Sequence, residues 1–180
     1  IANWSDSRIY GRNEMAFIVP MDGDLGMDAS MMSLCDVYNP NYKNVIDKTV
    51  SGFVGRFKGN PWLIGYFIGN EPAWINQETR LCQLILDGPD RHIKKELAAY
   101  LEKKGDTPEI RRAFILATFN TFLGKVSAAL KKYDPEHLNM GIRFGDPDTL
   151  GEDLLKVCKR HFDVFSFNCY QLVPERGMLD

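Results

Sequence analysis

The stretch Asn60-Pro61-Trp62-Leu63-Ile64-Gly65-Tyr66-Phe67-Ile68-Gly69-Asn70-Glu71-Pro72-Ala73-Trp74 decides how the rest of the chain is read. Residues 62–68 form an apolar run of strand length, bounded by Asn60-Pro61 before it and Gly69-Asn70-Glu71-Pro72 after it. A short continuous apolar run between turn signals reads as a strand buried on both faces. A carboxylate, Glu71, is therefore delivered at the carboxyl end of a buried strand.

Working outward toward the amino terminus, Asn39-Pro40 reads as a helix start, with Tyr42, Val45, Ile46, Phe53, Val54 and Phe57 at helical spacing as far as Lys58-Gly59-Asn60-Pro61. Ala16-Phe17-Ile18-Val19-Pro20 reads as a short buried strand stopped by a proline that has no amide to donate. A loop rich in Gly, Asp and Met joins the two over 21–37. Ile1 to Trp4 reads as the tail of a further strand, and because the chain opens on Ile1 rather than Met, a start upstream is expected.

Toward the carboxyl terminus, helical pieces are predicted near Thr79 to Leu86 and Asp90 to Lys103, broken by Gly88-Pro89 and Gly105-Asp106. Thr107-Pro108 then starts a longer helix. Its Ile115, Phe119, Phe122, Leu123, Val126, Leu130 and Tyr133 make one apolar stripe that ends at Asp134-Pro135. Leu138 to Phe144 is a strand, Asp146-Pro147 caps a helix through Cys158, and Phe162 to Cys169 is the last strand.

Strands alternating with helical crossovers imply α/β architecture with a parallel sheet. A flavodoxin-like or dinucleotide-binding sheet would need a glycine-rich phosphate turn after a strand, and no G-x-G-x-x-G is present. The better fit is part of a (β/α)8 TIM barrel, about strands 2 to 6, forming one partial domain over 1–180 with a long helical insertion at about 75–106. A full barrel takes ~250 residues, and this chain has 180. In a barrel the site lies at the carboxyl ends of the strands, which here carry Asn3-Trp4, Asn70-Glu71, Arg143 and Asn168 to Tyr170.

At 44% hydrophobic and 12% aromatic, the composition is that of a globular core-forming domain. A net charge of −2 leaves no basic patch for nucleic acid or an anionic membrane, and no uninterrupted apolar run reaches ~18 residues. Cys35, Cys82, Cys158 and Cys169 form no C-x-x-C pair and read as buried thiols rather than zinc ligands or a disulfide framework. His92, His137 and His161 are too dispersed for a metal site. Asp22 to Asp28 has the start of a calcium loop without its closing Glu, so it reads as turn chemistry. No G-x-S-x-G elbow supports a serine hydrolase, and the methionines at 15, 21, 27, 31 and 32 read as gap fillers under a loop.

Glu71 has two readings. It can cap the following helix, as many acidic residues do, or it can work as a general acid/base. Glycoside hydrolysis requires one carboxyl to protonate the leaving oxygen and another to attack the anomeric carbon or activate water. The first must have its pKa raised, and partial desolvation between the strand and Pro72-Ala73-Trp74 would do so.

Gly69-Asn70-Glu71-Pro72 after an apolar strand resembles the fourth-strand signature of clan A retaining glycoside hydrolases. Ile1 to Asp6, Pro61 to Phe67, His137 to Phe144 and Asp163 to Tyr170 resemble, in order, segments of β-agarases and β-galactosidase-like enzymes. The resemblance implies a retaining β-glycosidase for a galactose-containing poly- or oligosaccharide, with Glu71 as general acid/base and Asn70 on the sugar 2-hydroxyl. It makes Asn3, Trp4, Trp74, Arg143, Asn168 and Tyr170 substrate contacts, with Trp74 or Trp4 offering a stacking face. It also implies a nucleophilic Glu on a seventh strand, beyond Asp180, and leaves Glu175 a loop charge.

No cofactor or metal is expected, the partner is carbohydrate, and a secreted or periplasmic setting follows from the resemblance although no signal peptide stands in the chain. The helical insertion, on the carboxyl side of the Glu71 strand, is expected to wall one side of a sugar cleft. Two other classes of function compete: a non-catalytic carbohydrate-binding barrel remnant, and a nucleotide-binding α/β domain, against which the missing phosphate loop speaks.

Overall fold

In the structure, a computed structural model that describes residues 15–21, 25–145 and 150–170, the apolar run contains strand β4 (Leu63–Phe67). The other elements are β1 (Phe17–Pro20), β2 (Met27–Asp28), β3 (Leu34–Cys35), α1 (Tyr42–Val54), β5 (Gly69–Asn70), α2 (Glu78–Asp87) and α3 (His92–Lys104). They are followed by α4 (Pro108–Tyr133), β6 (Leu138–Asn139), β7 (Ile142–Phe144), α5 (Glu152–Cys158) and β8 (Ser166–Phe167). Ile1 to Trp4, Asp22 to Asp24, Asp146-Pro147 and Glu175 lie outside the described residues.

Two three-stranded parallel sheets, β1-β4-β6 and β5-β7-β8, meet end to end. The pairs β4/β5 and β6/β7 are each one extended segment with a break, at Ile68 and at Met140-Gly141. The neighbours still bond across the break, Met140 N–H to Tyr66 O (2.9 Å) and Ile68 N–H to Gly141 O (2.9 Å). Gly141 has φ +66°, which only glycine adopts without strain, and a Cβ there would lie 2.4 Å from the Phe162 ring. Along the parallel strands, spatial order follows chain order, without the reversal of a doubly wound sheet. No closed barrel forms among the described residues.

Helix α4 is capped by the Thr107 hydroxyl, which accepts from Ile110 N–H (3.3 Å), and carries Pro108 in its first turn. Its apolar stripe is wider than predicted: Phe114, Leu116 and Ala129 are buried along with Ile115, Phe119, Phe122, Leu123, Val126 and Leu130. The reason is that α4 packs against four other helices, α1, α2, α3 and α5. By length and hydropathy alone α4 would cross a membrane, but 61% of its most apolar window is buried in this protein. It ends where Asp134, 4% exposed, accepts from the Tyr66 hydroxyl (2.7 Å) and contacts His137 Nδ1 (2.8 Å), joining helix end to strand.

Several expectations are corrected. Helix α1 begins at Tyr42 because Asn39-Pro40 is spent on a turn whose Asn39 Oδ1 accepts from Asn41 N–H (2.9 Å). The final strand shortens to Ser166–Phe167. The methionine-rich loop holds an antiparallel pair, β2 with β3, closed by a 3-10 turn in which Asp28 caps Ser30 (2.8 Å) and pairs with Arg91 (2.7 Å). Three thiols are buried, and burial pushes Cys35 up to about 11 and Cys82 and Cys158 up to about 12. Cys169 is exposed instead.

Candidate active site

Parallel pairing sets the rim. Asn70 on β5 is in register with Arg143 on β7, which is in register with Ser166 on β8, so side chains just beyond these positions stand at one height. Two backbone bonds extend the ladder past the strand ends, Glu71 N–H to Arg143 O (2.7 Å) and Asn168 N–H to Phe144 O (2.7 Å). Glu71 itself has φ +40°, a left-handed backbone that is strained for a residue with a Cβ.

The carboxylate ends in a cluster of polar groups. Glu71 Oε1 accepts from Asn168 Nδ2 (2.6 Å) and from the Tyr170 hydroxyl. Asn168 Nδ2 also lies 3.2 Å from Asn70 Oδ1 and 3.3 Å from the Tyr170 oxygen. The Arg143 guanidinium stands 4.9 Å from the centroid of the Phe67 ring. The structure thus brings Asn70, Glu71, Arg143, Asn168 and Tyr170 together, while Asn3 and Trp4 lie outside the described residues.

The electrostatics reverse an expectation. Glu71 is exposed, and hydrogen bonds from Asn168 and then Tyr170 hold its carboxyl below the usual glutamate range. The slight burial opposes them, and the positive charge of Arg143 adds to the lowering. Tyr170 is shifted the opposite way because its hydroxyl proton is held by that carboxylate. Hydrophobic flanking residues in sequence did not become hydrophobic cover, because β5 ends in solvent and Pro72-Ala73 runs along the surface.

Trp74 is the second correction. It is 2% exposed and meets Phe119 edge to face at 4.9 Å, so it belongs to the core between the rim and α4 and offers no exposed stacking face. With Phe119, Phe122, Ile142 and Leu34 it walls a small cavity of about 180 Å³ beside Glu71. On the other side of Glu71 an open depression of about 410 Å³ is lined by Pro72, Ile75, Asn76, Gly145, Leu150 and Tyr170. Gly145 and Asn76 were missed in the sequence. Gly145 directly follows a strand, which was the available signal, and Asn76 stands out only by its φ of +60°.

The helical insertion contributes little to this wall. Helices α2 and α3 pack on each other and on α4, and only Ile75 and Asn76, at the insertion's start, line the depression. That start is anchored from behind. Glu78, 7% exposed, accepts from Asn76 N–H (3.2 Å) and pairs with Arg112, which also forks onto Asp153 through Nε and Nη2 (both 2.8 Å). Arg112 therefore ties the segment after β5 to the start of α5.

This tie has a pH signature. The Arg112 guanidinium lowers Asp153 from the ordinary 3.8 to about 2. A carboxyl depressed in the folded state stabilises it fully above the unfolded pKa and loses that contribution as pH falls through the folded one. The melting temperature is therefore expected to fall between about pH 4 and pH 2. Arg112→Met should flatten this part of the profile. Identical profiles for the variant and the parent chain would show that the fork contributes nothing.

Comparison with known proteins places this geometry. No family model matches the chain. Its sequence is 22% identical over 218 residues to β-agarase B of Vibrio sp. (strain JT0107), a match covering 94% of this chain and 22% of that protein. Among solved structures it superposes on PfGH50B with a TM-score of 0.73 at 21% identity, covering 94% of this chain and 31% of that one. It superposes on the agarase AgWH50C with a TM-score of 0.66 at 26% identity, over 87% of this chain and 26% of that one. An exo-β-agarase gives a TM-score of 0.69 at 21% identity, covering 95% of this chain and 29% of the other. The class is a mixed α/β fold of small parallel sheets with a polar rim, and this fold is shared with agarases. The chain spans about a fifth to a third of the length of these relatives.

Proposed function

We propose that the chain is part of the (β/α)8 catalytic barrel of a retaining β-glycosidase that degrades an agarose-type galactose polysaccharide, with Glu71 as general acid/base. The observation that carries the reading is the placement of Glu71 at the carboxyl end of a parallel strand, ringed by Asn70, Arg143, Asn168 and Tyr170. The unreversed strand order supports a barrel segment, and the similarity to agarases supports the substrate class.

In this reading Glu71 gives its proton to the glycosidic oxygen, whose bonding electrons leave with it as the C1–O bond breaks and the attacking carboxylate of the retaining site bonds to C1. It then takes a proton from the water that attacks C1 and displaces that carboxylate. Asn70 holds the 2-hydroxyl, and Arg143, Asn168 and Tyr170 contact substrate or orient the carboxylate. Asn3 and Trp4 keep their proposed place as sugar contacts, and Trp74 supports the rim from below. The resting carboxylate is ionised, which suits the base half of the cycle. Loading the proton for the acid half requires a second negative charge to approach, as the attacking carboxylate of a retaining site does at ~5 Å.

That ionised resting state is also what favours the second reading, a carbohydrate-binding barrel remnant. Proton NMR of the digestion of agarose by the intact protein separates them. The β anomer is expected to form first and the α anomer to grow by mutarotation. Initial α product would contradict retention, and agarose bound without product would favour the binder.

A further inference from the structure

Glu71 is fixed at its two ends by different means. Its backbone is set by the bond to Arg143 O (2.7 Å) and by the left-handed φ of +40°. Its carboxylate end is held by two donors that both choose the same oxygen, Oε1: Asn168 Nδ2 at 2.6 Å and the Tyr170 hydroxyl. A carboxylate oxygen has about two lone-pair sites in its plane. With both occupied, protonation at Oε1 requires that a donor leave, whereas Oε2 accepts a proton with both bonds kept.

The orientation of the Asn168 amide is itself determined. Its Nδ2 faces two acceptors, Glu71 Oε1 and Asn70 Oδ1 (3.2 Å), so a flipped amide would set oxygen against oxygen at both contacts. Its backbone is held by the 2.7 Å bond to Phe144 O. Asn70 thus orients the residue that orients Glu71. Tyr170 completes the arrangement from the exposed side, with 82% of its surface accessible.

We propose that Asn168 and Tyr170 are positioning residues for Glu71: by occupying Oε1 they assign the exchangeable proton to Oε2 and keep the group a base until substrate arrives. This rests on the reading of Glu71 as the acid/base and goes beyond it by giving its two oxygens different tasks. Oε2 is the atom presented to the glycosidic oxygen, and Oε1 is the anchored one. Among the described residues, the titratable and charged groups that act on Glu71 are Tyr170, past β8, and Arg143, on β7. Glu78 on α2, the nearest acidic residue in sequence, is turned toward Arg112. Arg143 contributes its positive charge, so removing either hydrogen-bond donor changes the anchor without removing the cation.

The test uses the intact protein labelled with 13C at glutamate carboxyls, the Glu71 signal being assigned by its loss in Glu71→Gln. In the parent chain the titration midpoint is expected below the ordinary glutamate range. Tyr170→Phe, which removes one exposed hydroxyl, should raise the midpoint with the melting temperature unchanged. Asn168→Ala should raise it further, since the amide is the larger contributor, and Asn168→Ser, which keeps a short donor, should restore part of the difference. A merely structural role would lower the melting temperature of the Asn168 variants and leave every midpoint where it was. Unchanged midpoints in both Tyr170→Phe and Asn168→Ala would overturn the proposal. The titration is read without substrate, so it stands or falls separately from the acid/base role, which depends on reaction rates.

Discussion

On the proposed reading, replacing Glu71 by Gln in the intact protein is expected to lower the rate of agarose hydrolysis by about 10²- to 10⁴-fold, the range that a general acid/base contributes. The substitution is a narrow one. Gln keeps the length of the side chain and an oxygen that still accepts from Asn168 Nδ2 and the Tyr170 hydroxyl, so the rim keeps its bonds. It removes the negative charge and with it the ability to gain and lose a proton. Because Glu71 is exposed and its backbone is held by Arg143 O, the melting temperature should stay within a degree or two, roughly the scale of an ordinary surface change. The rate is measured as reducing-end release, and wild-type turnover in the Gln variant would remove Glu71 from the mechanism. A loss confined to KM would instead place it among residues that bind ground state and transition state equally.

Trp74→Ala should act in the opposite sense, on stability far more than on chemistry. An indole that is 2% exposed and packed edge to face on Phe119 leaves a cavity when truncated, at a cost of about 3–5 kcal/mol. For a chain of this length that corresponds to a fall in melting temperature of roughly 10 °C. The small void already beside Trp74 would merge with the new one, so the lining has little to collapse onto and the cost should fall toward the upper end. Calorimetry or thermal melts followed by circular dichroism check this. A Trp74 that served as an exposed sugar platform would show no such loss, and substrate affinity alone would drop. Trp74→Phe, which keeps an aromatic face against Phe119, should recover most of the stability.

Much of the architecture was legible because it is local. The apolar run over residues 62–68 reads as a strand and contains β4, although Trp62 and Ile64 are exposed and the burial on both faces is not complete. The Thr107-Pro108 start and the helical spacing beyond it give α4 nearly to the residue. Asn70, Glu71, Arg143, Asn168 and Tyr170 could be named because they lie near or just past strand ends, and parallel pairing brings such positions to one edge. Asn39-Pro40 was misplaced because a turn and a helix start use the same residue types, and only the bond from Asn41 N–H to Asn39 Oδ1 separates them. The β2–β3 pair was missed because two-residue strands are shorter than any periodicity.

What the sequence by itself determined is therefore the order of strands and helices and the delivery of a carboxylate to a strand end, since both depend on residue type and spacing along the chain. Tertiary structure decided the environment of that carboxylate. Whether Pro72-Ala73-Trp74 would shield Glu71 depended on where the chain turned after β5, and it turned Trp74 inward onto Phe119, leaving Glu71 in solvent. The groups that set its protonation, Asn168 and Tyr170, are almost a hundred positions away, 97 and 99 residues along the chain. Charge state is fixed by neighbours in space, and only the parallel pairing of β5, β7 and β8 makes these residues neighbours.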